Sequence, residues 1–430
     1  MLIPGGFAIF RRRALTRYLG ARLCSALAVQ MIVIAVGWQV YQLTGRVLDL
    51  GFVGLSQFLP FLCLSLFAGH AADRHDRRRI ILCCQIVYLI SAMLLLGFAW
   101  RGIASVAPIF AVLALLGIAR SFLVPASQSF LPNIVPLAEL GNAVAVNSST
   151  TQLANILGPS LGGLIYAAGE VSASSHHGAQ WVYGSAAGLL SASISLLLLV
   201  RGHRATVAGT VRYSWGHLLE GVRFTWRRKT VLGAISLDLF AVLFGGAAAL
   251  LPAFTREVLH AGPEVFGYLR AAPAVGAVAM AVWLAFRPII GRVGVCMFGG
   301  VAMFGMATVV FGMARHLWIA LASLSLMGAG DMISVYVRGL LVQLATPDAI
   351  RGRVSAVSSI AIGASNELGE FESGATAAWL GLVPAIVLGG VVTLTVALLW
   401  AKAFFPMLWR LQSFEQLKYS GAADGTPRAS

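Results

Sequence analysis

The hydrophobic residues of this chain fall into long continuous stretches that are separated by short polar connections. Each stretch has about 20 mainly apolar residues, which is the length that a helix needs to cross the hydrocarbon core of a bilayer. Because the stretches are continuous rather than alternating, they predict helices and not the strands of a barrel. We expect twelve spans, at 17–43, 50–71, 80–100, 104–126, 140–168, 179–200, 231–256, 264–286, 294–314, 316–338, 354–379 and 383–405.

The composition agrees with a membrane protein. Of the 430 residues, 58% are apolar and only 11% are charged, too few charges to cover the surface of a soluble protein of this size. The formal net charge of +15 is concentrated in alternate connections. By the positive-inside rule those connections and both termini lie in the cytoplasm. The basic residues therefore indicate topology, and we expect no nucleic-acid partner.

The second half of the chain repeats the first. At an offset of 213 residues Leu19-Gly20-Ala21 recurs as Leu232-Gly233-Ala234, and at an offset of 211 Gly158 recurs as Gly369. Duplicated halves in an apolar chain are typical of secondary transporters. We expect an all-α membrane protein with two pseudo-symmetric bundles of six transmembrane helices. The predicted parts are a first bundle at 1–200, a cytoplasmic linker with an amphipathic helix at 201–230, a second bundle at 231–405, and a cytoplasmic tail at 406–430 that is disordered at its end.

The connection between the second and third spans carries a recognisable motif. It contains Gly69, Ala72, Asp73, Arg74, Arg77 and Arg78, which match the pattern G-x-L-A-D-R-x-G-R-R. This connection resembles that of the major facilitator superfamily, although Asp76 stands where the pattern has its second glycine, so a tight glycine turn is not expected. The resemblance implies that Asp73 holds the two halves together on the cytoplasmic side, and we expect it to pair near Arg353. The alternative is that Arg74–Arg79 only bind anionic lipid.

The fifth span carries a second motif, made of Gly158, Pro159, Gly162 and Gly163. Gly158 and Gly162 are four residues apart on one helix face, which allows a partner backbone to approach closely. Pro159 removes a backbone donor and bends the helix. Such helices resemble those of superfamily exporters that exchange substrate against protons, while the alternative is generic packing of small residues. Residues 120–136 and 343–354 are similar to the secretion-type subgroup that includes the enterobactin exporter.

Charged side chains inside a span are candidates for function. Five acids lie inside the predicted spans and away from their ends, namely Asp238, Asp331, Glu367, Glu370 and Glu372. Glu367 and Glu370 share a helix face, and two neighbouring carboxylates in a medium of low dielectric constant cannot both ionise readily. We expect Glu367 and Glu370 to carry proton coupling or to bind a cationic group, with the other three acids as further candidates. The alternative is a structural network in which they pair with Arg22, Arg120 or polar groups.

The resemblance implies that spans 1, 4, 7 and 10 line a central cavity. Polar candidates for contact with a substrate are Arg22, Arg120, Gln30, Gln39 and Asn147, and interhelical hydrogen bonds are an equal alternative for the amides. Arg338 shares a helix face with Asp331, two turns away. Because it lies at the predicted end of its span, we expect Arg338 to extend to the cytoplasmic surface.

Enzymatic motifs are not supported by the sequence. Gly328-Ala-Gly330-Asp331 resembles the G-x-G-D of intramembrane aspartyl proteases, but four residues in a chain with 47 glycines are a weak match. We expect no cofactor and no metal site. The sequence predicts a monomeric, multi-pass transporter of the bacterial inner membrane that exports an amphipathic small molecule, siderophore- or drug-like, in exchange for protons. The alternative is an uptake permease or facilitator for a cationic substrate or metal, without proton coupling.

Overall fold

The computed structural model describes residues 12–102, 105–136, 139–172, 177–200, 215–347, 350–414 and 416. This part of the chain is almost entirely helical, so the predicted all-α class is confirmed. The helices are α1 Arg13–Thr44, α2 Val47–Arg74, α3 Arg77–Trp100, α4 Ala107–Phe130, α5 Leu140–Ser172, α6 Gly178–Leu198, α7 Trp215–Arg227, α8 Lys229–Gly245, α9 Leu251–Glu257, α10 Pro263–Phe286, α11 Val293–Met313, α12 Leu317–Ala345, α13 Arg351–Leu380, α14 Leu382–Leu399 and α15 Pro406–Trp409.

Ten helical segments in the described ranges are long and apolar enough to cross a membrane. One of them, Lys229–Glu257, joins α8 and α9 into a single span. The other two predicted spans are α5 and α13, which have 33 and 30 residues and are long enough to cross. These two helices contain many hydroxyl, amide or carboxylate side chains, so their hydrophobicity alone does not identify them as spans.

Contacts between helices divide the chain into two units. The first unit takes in Met1–Arg212 together with Leu251–Ala271, and the second takes in Tyr213–Leu250 together with Ala272–Ser430. The first unit therefore contains α9 and the beginning of α10 in addition to α1–α6. Its core is built around α1, which is almost continuously buried between Met31 and Tyr41.

The sequence repeat is visible in the packing of each unit. Ala21 and Phe130 lie in the buried core of the first unit. Ala234 and Leu341, which correspond to them at the offsets of 213 and 211, lie in the buried core of the second. Corresponding helices therefore turn corresponding faces inward in the two units.

The connection between α2 and α3 is shorter than the sequence indicated. Helix α2 continues to Arg74, and only His75 and Asp76 separate it from α3. The Asp76 carboxylate caps α3 by accepting a hydrogen bond of 2.9 Å from the backbone N–H of Arg78. A short connection therefore forms here without a glycine turn, because a capping aspartate starts the next helix directly.

Helix α7 packs against other helices of the second unit. Phe224 contacts a buried cluster that contains Val231 and Val354, and the Glu220 carboxylate forms an ion pair with Arg353 at the start of α13. The predicted amphipathic helix is thus held by both apolar and charged contacts. Its placement on the cytoplasmic leaflet stays a prediction.

Candidate functional site

Asp238 and Arg338 form an ion pair in the interior of the second unit. Asp238 lies midway along α8, Arg338 lies seven residues before the end of α12, and each side chain is only 6% exposed. Arginine stays charged in proteins, and an isolated buried charge is strongly destabilising. Each ion therefore needs the other, and the pair fixes α8 against α12.

A second carboxylate shares this site. Asp331 precedes Arg338 by seven residues on α12, so it lies on the same helix face and about 10 Å further along the axis. Asp238, Asp331 and Ser334 line one cleft beside Phe304 of α11, with a volume of about 10 Å³. This is close to the smallest volume that holds a water molecule. With two carboxylates and one guanidinium, the cluster carries a net charge of −1 when all three are ionised.

The glycines before Asp331 allow α12 to approach its neighbours. A Cβ on Gly328 would lie 2.8 Å from the Cα of Pro273 in α10, and a Cβ on Gly330 would lie 2.7 Å from the carbonyl oxygen of Gly300 in α11. Side chains do not come this close to a backbone, so neither position has room for one. The resemblance to a protease motif has a structural explanation, because these glycines let α12 pack closely enough to bring Asp331 into the cleft.

The structure corrects the interpretation of Arg338. The predicted span ended at this residue, which suggested a side chain that extends to the membrane surface. Helix α12 instead continues to Ala345, and Arg338 is buried. The sequence already placed Arg338 on one face with Asp331, but its depth and its partner on α8 were missed, as was Ser334 beside them.

The described residues that line the cleft do not include the three glutamates of α13, which are Glu367, Glu370 and Glu372. All three are half-buried. Between them, Gly369 packs on α8, where a Cβ would lie 2.9 Å from the carbonyl oxygen of Leu243. The Thr376 hydroxyl donates a hydrogen bond of 2.7 Å to Glu372, one turn along the same helix. The candidate acids therefore form two groups, one around the cleft and one beside the end of α8.

Polar residues of the first unit bind one another. The Gln30 amide of α1 donates to the Asn155 side-chain oxygen of α5 at 2.6 Å, and Asn155 donates to Gln152 at 3.0 Å. The Tyr183 hydroxyl of α6 donates to the Gln39 side-chain oxygen at 2.7 Å. These neutral bonds join α1 to α5 and α6. Gln30 and Gln39 thus use part of their hydrogen-bonding capacity between helices, and their contact with a substrate stays a prediction.

Three other predicted cavity residues have different surroundings. Arg22 is half-buried, and its Nε has no hydrogen-bond partner among the described residues; the same holds for the Oδ1 of Asn147. The Arg120 guanidinium lies 5.3 Å from the centre of the Phe61 ring, a cation–π contact. Arg22 and Asn147 therefore retain polar atoms that a ligand or water can satisfy.

The residues of the fifth-span motif, Gly158, Pro159, Gly162 and Gly163, all lie in α5. Gly158 faces Gln30 of α1, where an added Cβ would lie 3.3 Å from the Gln30 Cγ. Gly163 faces α10, where an added Cβ would lie 3.1 Å from the Cα of Gly267. Helix α5 continues through Pro159. The small residues therefore let α5 pack between α1 and the beginning of α10.

The arginines of the α2–α3 connection bind within the first unit. The Arg78 guanidinium donates to the carbonyl oxygens of Leu197 at 3.2 Å and Leu198 at 2.7 Å. These carbonyls belong to the C-terminal end of α6, which carries a partial negative charge. Arg77 donates to the Asn133 side-chain oxygen at 3.5 Å. Both arginines therefore hold α3 to its neighbours in the bundle.

The predicted pairing of Asp73 near Arg353 stays a prediction. Gly69, Asp73 and Arg74 lie at positions of α2 whose side-chain surroundings are outside the described part of the structure. Arg353 itself pairs with Glu220 of the same unit. A pairing with Asp73 therefore requires Arg353 to exchange or share its partner.

One group of contacts in the first unit had no signal in the sequence. The Tyr41 hydroxyl at the end of α1 donates to the Glu257 carboxylate of α9. Nearby, the Trp38 and Phe266 rings stack with centroids 6.1 Å apart and an interplanar angle of 22°. An acid at the end of an apolar stretch usually lies in the interface region, so nothing marked Glu257 as a partner of α1.

Comparison with known proteins places the chain in a family. The profile of the transmembrane secretion effector family (MFS_3) matches residues 4–421. The chain is 26% identical over 394 residues to the multidrug efflux pump Tap of Mycobacterium tuberculosis (strain ATCC 25618 / H37Rv), covering 87% of this chain and 91% of Tap. It is 26% identical over 343 residues to the enterobactin exporter EntS of Escherichia coli O139:H28 (strain E24377A / ETEC), covering 78% of each chain.

Solved structures agree on the fold. A bacterial homologue of the human lysosomal transporter Spinster, in an inward-facing and occupied conformation, superposes with a TM-score of 0.74 at 14% identity, covering 93% of this chain and 98% of that one. A D-xylose–proton symporter superposes with a TM-score of 0.69 at 14% identity, covering 94% and 98%. At these identities the likeness shows the fold alone. With its apolar helices and a profile match over nearly its whole length, the chain is a multi-pass membrane transporter, not an enzyme, and belongs to the transmembrane secretion effector family of the major facilitator superfamily.

Proposed function

We propose that this chain exports an amphipathic small molecule, siderophore- or drug-like, in exchange for protons and by alternating access. Two relatives support the direction of transport, since Tap is a multidrug efflux pump and EntS is an enterobactin exporter. The duplicated halves support alternating access, in which the two halves move around a site near the middle of the membrane. The proposed location is the bacterial inner membrane, with a monomeric chain and both termini in the cytoplasm.

The observation that carries proton exchange is the buried Asp238–Arg338 pair beside Asp331. When every group is ionised, the cluster has one negative charge more than it can neutralise internally. Enclosing a net charge in a membrane protein is unfavourable, so a closed state is accessible mainly when the cluster is neutral. Either a proton or a cationic group of the substrate neutralises it. Because the cluster is neutralised by a proton or by the cationic group but not by both, the inward movement of a proton is tied to the outward movement of the substrate.

The structure favours Asp331 as the proton acceptor within this cluster. Asp238 is held by Arg338, so its negative charge is already compensated. Asp331 lines the same cleft from two turns away and carries the excess charge. Glu367 and Glu370 stay in the proposal as a second pair of acids, because they are half-buried on one face of α13.

Purified protein in proteoliposomes tests the exchange. Flux of ethidium, an amphipathic cation, is followed by its fluorescence with and without an imposed pH gradient. We expect the gradient to drive ethidium against its concentration difference. Asp331→Asn should lose both this drive and the exchange of ethidium at equal concentration, because a bound cation would leave the otherwise neutral cluster with a net charge of +1. The matched variants Glu367→Gln, Glu370→Gln and Glu372→Gln show whether an acid of α13 shares the role.

The result that would overturn the proposal is ethidium flux that ignores the pH gradient in the unmodified protein. That outcome would favour a facilitator for a cationic substrate or metal. If the gradient drives flux and Asp331→Asn behaves like the unmodified protein, exchange stands but the proton is carried elsewhere. Loss of the gradient response only in Glu367→Gln or Glu370→Gln would then assign it to α13.

A further inference from the structure

A second cavity lies in the first unit, whereas the charged cluster lies in the second. It has a volume of about 440 Å³ and lies between the end of α2, α3 and α4. Its walls include Ile80 and Val87 of α3 and Leu115 and Phe122 of α4. The volume is within the range of about 300–1,000 Å³ that is typical of small-molecule sites. The mouth of this groove lies near the residues that connect α2 to α3.

The groove is open on the outer surface of α3. Cys83, which lines it, is exposed, and the exposed side chains continue along the same helix face with Ile86, Ile90 and Met93. This spacing of three and four residues marks one continuous apolar stripe. Because α3 is apolar enough to span a membrane, such a stripe faces lipid chains.

The mouth of the groove is cationic. Of three consecutive arginines, Arg77 and Arg78 bind groups in neighbouring elements, whereas the Arg79 side chain is 81% exposed and lies beside the groove. Its ion-pair contact in the described structure is a long one, 3.9 Å to Asp76. The Asp76 carboxylate also caps α3. The three guanidinium groups carry more positive charge than the single Asp76 carboxylate can neutralise. The N-terminal end of α3 adds partial positive charge.

We infer that this groove binds one anionic phospholipid, with an acyl chain between α3 and α4 and its phosphate against Arg79. The apolar walls match the chain, and the exposed guanidinium matches a phosphate that lies at the level of the helix end. The cytoplasmic side follows from the basic connections and rests on the proposed topology. Binding of lipid is independent of proton exchange, so this site stands or fails separately from the transport mechanism.

Native mass spectrometry of the delipidated full chain, titrated with phosphatidylglycerol or phosphatidylcholine, tests the inference. We expect tighter binding of phosphatidylglycerol, and Arg79→Gln to weaken it about five-fold, the factor that one basic residue contributes at an anionic surface. Cys83→Phe fills the groove and should weaken both lipids. The matched controls are Arg101→Gln, at the other end of α3, and Cys63→Phe, an exposed cysteine on α2, and both should bind like the unmodified chain.

Peptide-resolved labelling gives a second measurement without substitution. Phosphatidylglycerol should slow maleimide modification of Cys83 and leave modification of Cys63 unchanged. The inference is overturned if both lipids bind equally and Arg79→Gln has no effect, which would indicate ordinary surrounding lipid. It is also overturned if ethidium displaces phosphatidylglycerol and protects Cys83 in its place, since the groove would then be a substrate site.

Discussion

Neutralising one partner of the buried Asp238–Arg338 pair should destabilise the protein by an amount that the structure allows us to estimate. Two unit charges about 4 Å apart interact by about 4 kcal/mol at the effective dielectric constant of about 20 that suits protein sites. Breaking a buried pair typically costs about 3–5 kcal/mol, because the remaining charge stays buried and uncompensated. We therefore expect Asp238→Asn to lower the free energy of unfolding by about 3 kcal/mol.

Asp331 reduces this loss only in part. If the charges are separated by the helical rise of about 10 Å between the two residues, the Asp331 carboxylate attracts the guanidinium by about 1.6 kcal/mol at the same dielectric constant, less than half of the lost interaction. Asp238→Asn combined with Asp331→Asn should therefore be less stable than Asp238→Asn alone. Asp238→Asn combined with Arg338→Gln should lose less than the sum of its single substitutions, with a coupling energy of about 3 kcal/mol.

The assay is reversible unfolding of the detergent-solubilised protein in mixed micelles with increasing sodium dodecyl sulfate, followed by circular dichroism. It is applied to the unmodified protein, Asp238→Asn, Arg338→Gln and the double variant, which together form a double-mutant cycle. The Glu220–Arg353 pair provides the control, because its side chains are 52% and 28% exposed. Exposed pairs contribute about 0–1 kcal/mol, so its coupling should be small. A coupling below about 0.5 kcal/mol for Asp238 and Arg338, in the range of ordinary interhelical contacts, would refute the reasoning.

Two further predictions concern packing and pH. Gly328→Val forces a side chain into the backbone of Pro273 and should lower the free energy of unfolding by about 1–3 kcal/mol. The control is Gly339→Val, because nothing lies within 4 Å of a Cβ added at Gly339. Its free energy of unfolding should remain within about 1 kcal/mol of the unmodified protein in the same assay. Arg12 donates to the Glu139 carboxylate at 2.8 and 2.9 Å and thereby lowers the pKa of Glu139 below its ordinary 4.5. This pair should stabilise the protein above pH 4.5 and lose its effect as the pH falls through the lowered pKa of Glu139. Below pH 4.5 the melting temperature of Glu139→Gln should therefore fall less than that of the unmodified protein. An equal fall in both proteins would contradict the assignment.

The helices could be predicted from the sequence because each span is a continuous apolar run. Their ends could not, because a helix can continue beyond the membrane core on polar residues. Helix α12 extends to Ala345 although its apolar run appeared to end at Arg338. That difference of seven residues changed Arg338 from a surface anchor into a buried ion. An error of two turns at a helix end was therefore enough to hide the partner of Asp238.

The partners within the site could not be predicted for a related reason. Asp238 and Arg338 are 100 residues apart in the chain, and their pairing depends on how α8 and α12 are rotated toward each other. Hydrophobic periodicity gives little information on rotation when a helix is apolar on all sides. The glutamates of α13 were easier to notice, because they lie within six residues and replace apolar residues or proline in a repeated frame, whereas the charges on α8 and α12 stand apart from one another.

The repeat gives an independent argument that the charged cluster serves transport rather than folding. At the offset of 213 Asp238 corresponds to Ser25, and at the offset of 211 Arg338 corresponds to Ser127; both serines are buried. The first unit thus fills these positions with neutral hydroxyl groups while keeping the same packing frame. Replacing a buried ion pair by well-packed hydrophobic residues of similar volume is often neutral or stabilising, and the first unit packs without charges at these positions. Asp331 corresponds to Arg120, a charge of opposite sign. An excess carboxylate at this position in the second unit alone agrees with the proposed exchange against a proton, which needs a single titrating site.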